Sequence, residues 1–192
     1  MERIQLIVGL GNPGQQYANT RHNAGAWFIE ELLKQSDTEL NLESKLKASL
    51  TSTKHFGEQL RLAIPTTYMN ESGLAVAAIA HFYKIPPEAI LIAHDEIDFE
   101  VATTRLKKGG GHGGHNGLRD IIKHLNSADF WRLRIGVGHP GHKDRVHDYV
   151  LNRPTATEQQ SIAQDLEKAV TIIPLLLQAK FEQAMTALHS EG

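Results

Sequence analysis

Several short stretches of this chain hold residue types that can do chemistry, each beside glycine or at a break in the apolar pattern. Thr20-Arg-His-Asn-Ala-Gly25 puts His22 at or just before the start of an apolar helical stripe. The positive end of a helix dipole disfavours imidazolium, so this position favours a neutral base near neutral pH. The same string also reads as a capping cluster with no chemistry. Ile90-Leu-Ile-Ala-His-Asp-Glu-Ile-Asp98 sets His94, Asp95, Glu96 and Asp98 at the end of an apolar run. A carboxylate there can orient a histidine and stabilise its protonated form. It can equally cap a helix or, with His112 or His115, ligate a metal, although no H-x-x-x-H or H-E-x-x-H spacing supports the metal.

Three glycine-flanked strings add amides and aromatics. Gly9-Leu-Gly-Asn-Pro-Gly14 follows the first apolar run and matches the G-x-G-x-x-G string of dinucleotide sites. Pro13 removes an amide donor, and the next helix begins nearer Asn23 than Gly14. Glu30 and Glu31 fall inside that helix, so no acid ends a second strand at the expected distance. The competing role is a tight turn that presents Asn12, an amide able both to donate and to accept. Lys107-Lys-Gly-Gly-Gly-His-Gly-Gly-His-Asn-Gly117 has glycine at five of the six positions 109–114. Bare backbone can approach an anion, and successive amides form a nest for phosphate. The string lacks the Gly-Lys-Ser/Thr of a triphosphate site, and a flexible loop is the alternative. Pro65-Thr-Thr-Tyr-Met-Asn-Glu-Ser-Gly73 places Tyr68, Met69 and Asn70 between a strand and a helix. They can stack on a base and hold a peptide group, or simply cap and pack the helix.

These stretches must be held by a folded body, and the composition provides one. The 192 residues are 41% hydrophobic and 22% charged, the balance of a soluble domain that buries its own core. No apolar run reaches the ~18 residues of a membrane span, and Met-Glu-Arg-Ile-Gln lacks a signal-peptide pattern. With zero cysteines, disulfides and thiol chemistry are excluded, and a cytoplasmic protein is expected. Net charge is −2, but residues 105–145 hold nine of the 20 basic residues and three acids. That segment is +6 and the remainder −8, either a local anion-binding face or an ordinary solvated surface.

Pattern predicts the elements that position the strings. Ile4–Val8 and Ala89–Ala93 read as buried strands, Val101–Lys107 and Trp131–Val137 as further strands. Residues 46–54 and 59–64 read as a hairpin around Gly57. Helices are expected from Asn23 to about Gln35 and from Ser72 or Gly73 to about Tyr83, where Pro86-Pro87 forbids continuation. A third runs from Asn116 to Leu125. A long helix over Thr157–Leu177, capped by Thr155 or Thr157 and interrupted near Pro174, precedes a last one over Phe181–His189. Helices alternating with strands predict an α/β fold whose ligands sit beyond the carboxyl ends of the strands.

Taken in order, Gly9–Gly14 with Tyr17, Thr20–Gly25, Thr67-Tyr-Met-Asn70, His94-Asp-Glu96, Gly109–Gly117 and Arg132-Leu-Arg-Ile-Gly136 resemble the bacterial-type peptidyl-tRNA hydrolases across nearly the whole chain. The resemblance implies one α/β domain over residues 1–192, a mixed twisted sheet covered by helices on both faces, with 141–155 as a lid segment. It implies a cytoplasmic, monomeric esterase that uses no metal or cofactor and has no membrane partner. Such an enzyme hydrolyses the ester between the peptide and the tRNA 3′ ribose of N-blocked tRNA. On that resemblance His22 is the general base that activates water, and Asp95 holds its tautomer and stabilises the imidazolium. Asn12 positions the ester and helps to distinguish peptidyl-tRNA from free aminoacyl-tRNA. Asn70 and Asn116 bind the peptide backbone and the 3′ end, Asn116 also steadying the water or the oxyanion. Tyr17 and Tyr68 match substrate-contacting positions, and Met69 and His115 line the site. Lys107 and Arg134 match a clamp on the tRNA 5′ phosphate. Asp148 and Asn152 depart from the pattern, standing in the lid where glycines are common. From the residues alone, two other classes stay open: a non-catalytic RNA-binding module using the glycine loop and basic face, and a dinucleotide-binding oxidoreductase using the Gly9–Gly14 turn.

Overall fold

Leu-Ile-Val-Gly at Leu6–Gly9 is apolar on both alternating faces, and it forms β1 at the centre of a seven-stranded sheet. The computed structural model describes residues 2–189. The remaining strands are β2 (Asn41–Glu43), β3 (Ala48–Thr53), β4 (Leu60–Pro65), β5 (Ile90–Glu96), β6 (Thr104–Lys108) and β7 (Trp131–Gly136), in the order β2-β3-β4-β1-β5-β7-β6. β4, β1, β5 and β7 are parallel; β2–β3, β3–β4 and β6–β7 pair antiparallel. The fold is therefore a mixed-sheet α/β domain, as its alternating pattern predicts. The hairpin is β3–β4.

Side-chain alternation along β5 gives each face its own job. Leu91 and Ala93 pack with Phe28, Leu32, Leu133 and Ile135 in one core, beneath α1 (Ala24–Ser36) and the C-terminal helices α5 (Ala156–Val170), α6 (Ile173–Leu177) and α7 (Phe181–His189). Ile90 and Ile92 pack with Leu6, Val8, Val76, Ile79 and Ile121 in the other, beneath α2 (Ser72–Tyr83) and α3 (Asn116–Leu125). At the end of β5 the alternation continues in polar residues. Asp95 follows the α1 face, and His94 and Glu96 follow the α3 face.

Two glycines let α1 sit directly on the sheet. A β-carbon at Gly25 would lie 2.1 Å from the Ala93 carbonyl oxygen and 2.7 Å from the Leu10 nitrogen; one at Gly9 would lie 2.3 Å from the Gly25 carbonyl oxygen. This backbone-on-backbone approach brings the start of α1 against the end of β5. Gly25→Ala should gain less than about 1 kcal/mol of helix propensity and lose ~1–3 kcal/mol or more to overpacking. A lower denaturant midpoint would check this; an unchanged one would show that α1 can slide outward at little cost.

The structure departs from the sequence expectation in four places. β6 begins at Thr104 rather than Val101, because residues 101 and 102 turn, Ala102 with a φ of 64°. The long helix ends at Val170, four residues before Pro174, whose ring would meet the Val170 carbonyl if the helix continued. Thr155 caps it, in a capping box with Glu158. β2 and α4 (Val146–Val150) carry no pattern that announces them.

Candidate active site

His22 lies in a single tight turn, Arg21–Asn23, that leads into α1, and Asp95 is the penultimate residue of β5. Gly9 and Gly25 let these elements close, and the two side chains meet. His22 Nδ1 lies 2.9 Å from one Asp95 carboxylate oxygen and 3.1 Å from the other. An ionised carboxylate only accepts, so Nδ1 carries the proton and Nε2 keeps the lone pair. His115 approaches the same carboxylate, its Nε2 at 2.8 Å from Oδ1. Its tautomer is fixed from the other side: His115 Nδ1 accepts from the amides of Gly117 and Leu118, capping α3, so Nε2 donates. A third imidazole, His94, donates from Nδ1 to the Asp95 backbone carbonyl at 2.8 Å.

Electrostatics follow from this cluster. Burial alone would raise the Asp95 pKa, but the neighbouring imidazoles, His22 first, hold it well below the usual carboxylate range. Burial alone would lower the His22 pKa, yet the Asp95 charge and hydrogen bond outweigh it and raise the value above normal. The helix-dipole expectation of a depressed His22 pKa is thus overturned: a carboxylate at 2.9 Å acts more strongly than the partial charge of a helix end. His94, fully buried, is pushed down to about 3.

The His22, Asp95 and His115 ligand atoms lie within 4.8 Å of one another, close enough to be weighed as a metal site. His115 argues against it, because the nitrogen facing the cluster holds its proton and offers no lone pair. The arrangement suits holding and moving protons.

One cavity of about 560 Å3 gathers nearly every residue the sequence singles out: Asn12, Tyr17, His22, Tyr68, Met69, Asn70, Asp95, His115 and Asn116. Asn12 Oδ1 accepts from the Met69 amide at 2.7 Å, which leaves its Nδ2 as the donor. Tyr17 and Tyr68 meet edge to face, their centroids 6.3 Å apart, and Tyr68 is exposed. Asn116 opens α3 directly after its His115 cap. Lys107 and Arg134 are elsewhere, in an adjoining cavity of about 270 Å3 that shares His94, Glu96, His112 and Gly113 with the first. Arg134 is not a free cation: Nε and Nη2 both reach Glu96 Oε1 at 2.9 Å.

A model of the peptidyl-tRNA hydrolase family matches residues 6–192. This chain belongs to that family. It is 56% identical to a peptidyl-tRNA hydrolase of Coxiella burnetii (strain RSA 331 / Henzerling II), the alignment covering 97% of this chain and 98% of that one. It is 50% identical to a peptidyl-tRNA hydrolase of Histophilus somni (strain 129Pt), covering 99% and 98%. The crystal structure of peptidyl-tRNA hydrolase from Acinetobacter baumannii superimposes with a TM-score of 0.95 at 48% identity, covering 99% of this chain and 96% of that one.

Membership in the peptidyl-tRNA hydrolase family leaves the oxidoreductase reading without support, and the geometry agrees. β1 ends at Gly9, but α1 begins only at Ala24, so no helix N-terminus follows the Gly9–Gly14 turn to receive a pyrophosphate. Sequence reasoning missed Asn23. Its Oδ1 accepts from the Asn12 amide at 2.9 Å and its Nδ2 donates to the Asn12 carbonyl at 3.0 Å, clamping the turn that aims Asn12. Its place beside His22 was the available signal; its partner, 11 residues earlier, was not. Arg21 was missed too. It donates to the Tyr149 carbonyl at 2.9 Å, lies 3.8 Å from the centre of the Tyr149 ring, and so anchors α4 at the cavity wall.

Proposed function

We propose that this chain hydrolyses the ester joining a peptide to the tRNA 3′ ribose, with His22 as general base. The observation that carries the reading is the buried Asp95 carboxylate 2.9 Å from His22 Nδ1, while the His22 ring borders an open cavity lined with amides. His22 Nε2 takes a proton from water as the oxygen attacks the ester carbonyl carbon. Asp95 stabilises the resulting imidazolium. As the tetrahedral intermediate collapses, the carbon–oxygen bond to ribose breaks and the same proton passes to the ribose oxygen. Asn12 Nδ2 and the Asn116 amide are the donors for the peptide carbonyl and the developing oxyanion, and Asn70 holds the peptide backbone. A donor of this kind is worth ~2.7–4 kcal/mol at the transition state. Tyr17, Tyr68, Met69 and His115 complete the walls. No step in this scheme needs a metal or cofactor.

In this reading the enzyme acts as a monomer, because one chain supplies every group named, and works in the cytoplasm, where peptidyl-tRNA arises. Among the described residues no helix is long and apolar enough to cross a membrane. Segment 141–155 serves as a lid. Its C-terminal half is pinned by Arg21, and the Asn152 side-chain amide donates to the Asp148 backbone carbonyl at 2.6 Å, so Asn152 stiffens that half where glycine would not.

The test is peptide release from N-acetyl-aminoacyl-tRNA by purified protein, beside unblocked aminoacyl-tRNA, with and without chelator. Release that persists under chelation and favours the blocked substrate supports the reading; binding without release would favour the non-catalytic RNA-binding module. The adjoining cavity is the 5′-phosphate clamp in the same scheme. Lys107→Ala should raise KM about tenfold with kcat unchanged, the loss of one charged phosphate contact. Arg134→Ala should cost more, because it also frees Glu96 beside the phosphate. A fall in kcat with KM unchanged would remove both from the clamp.

A further inference from the structure

Arg132 stands in the basic segment of the sequence, yet it is only 3% exposed. A buried guanidinium normally sits against a carboxylate; among the described residues none pairs with this one. Instead it faces carbonyl groups. Nη1 donates to the Gly111 carbonyl, and Nη2 donates to the Gly110 carbonyl at 2.6 Å and the Ala128 carbonyl at 3.4 Å. Its Nε is buried with no partner.

The register explains the placement. Arg132 pairs with Lys107 across β6–β7 and lies two residues before Arg134, so all three side chains leave the same face of the sheet and border the adjoining cavity. Gly110 lies between two of them: a β-carbon there would stand 2.9 Å from Lys107 Nζ and 4.0 Å from Arg132 Nη1. With φ at 100°, Gly110 also adopts a backbone conformation costly for other residues. The Gly110 and Gly111 carbonyls point to the guanidinium across trans peptides, so the amides of Gly111 and His112 point away from it, and no described residue accepts from them. Glu96 largely cancels Arg134 and Asp98 also lines the cavity, so with Arg132 and Lys107 three cations face two acids and the cavity stays positive on balance.

We propose that Arg132 is a positioning residue for recognition of a terminal phosphate monoester: it ties down the glycine loop by its carbonyls, fixes the wall against which Lys107 rests, and adds a buried positive charge behind the phosphate. This rests on the reading of Lys107 and Arg134 as the 5′-phosphate clamp. Lysine cannot replace arginine here, because a single ammonium does not span three carbonyls held by a planar fork.

The test compares kcat/KM on N-acetyl-aminoacyl-tRNA carrying a 5′ phosphate with that on the same tRNA after phosphatase treatment, for wild type, Lys107→Ala, Arg132→Lys and Arg132→Met. The ratio of the two values is internal to each preparation, so partial misfolding cancels from it. Wild type should prefer the phosphorylated substrate about tenfold, and all three variants should lose most of that preference through KM. If Lys107→Ala loses the preference and both Arg132 variants keep it, the proposal is overturned while the clamp stands. If wild type shows no preference, the clamp itself falls. An Arg132 variant that lowers kcat equally on both substrates would assign the loop to the chemistry and overturn the proposal.

Discussion

Replacing His22 with alanine is expected to lower kcat by roughly 1,000-fold or more, within the range set by removing a positioned general base. The KM for peptidyl-tRNA should move little. His22 contributes one ring edge to the cavity, whereas Asn12, Tyr17, Tyr68, Asn70 and Asn116 supply contact area and polar groups that do not depend on it. Asp95 would still accept from His115 at 2.8 Å, so the buried carboxylate is not orphaned and the fold should survive. Such a split, with binding kept and turnover lost, is the signature of a group that acts only in the transition state. Steady-state kinetics on N-acetyl-aminoacyl-tRNA, with direct measurement of tRNA affinity, would check it. Added imidazole should restore part of the activity, because the vacated space borders the open cavity. Unchanged turnover in this variant would remove His22 as the base.

How much of this was legible in sequence depends on the range of the interaction. α2 was readable to within a residue, from Ser72 or Gly73 to about Tyr83, because Ser72 and Pro86 bracket a locally apolar run. β2 was not: its three residues are all exposed on a sheet edge, and no alternation marks them. His22, Asp95, Asn12, Asn70 and Asn116 stood out because each is polar at the end of a strand or the start of a helix, where burial gives no reason for it. Groups that act through distant partners stayed hidden. Asn23 and Arg21 differ from ordinary capping residues only through bonds to residues 12 and 149, and Arg132 reads as a surface cation until burial is known. The direction of the His22 pKa shift was misjudged for the same reason. The dipole of the adjoining helix is local and readable; the carboxylate that outweighs it comes from 73 residues away.

Asp95→Asn isolates that carboxylate, and its effect should exceed what loss of charge alone would give. In the wild type both Asp95 oxygens accept from His22, and Oδ1 also accepts from His115. An amide has one oxygen and one NH2. With the oxygen at the Oδ1 position, it still faces His115 at 2.8 Å and His22 at 3.1 Å, but an NH2 now stands 2.9 Å from His22 Nδ1, donor against donor. That clash favours the His22 tautomer in which Nδ1 accepts and the proton sits on Nε2, which removes the base. With the amide flipped, an NH2 faces the His115 N–H, whose proton is held there by the α3 amides on its other nitrogen. Each orientation sets an NH2 against one histidine's N–H, so kcat should fall roughly 100-fold or more, and Asp95→Asn should be no more active than Asp95→Ala. The pH profile supplies an independent reading. His22 must be neutral to act, so wild-type kcat/KM falls as pH drops through its raised pKa. Without the carboxylate only burial remains, and the acid limb should shift below the ordinary value of about 6.5. An acid limb that stays in place would mean that the group titrating it is not His22 under the influence of Asp95.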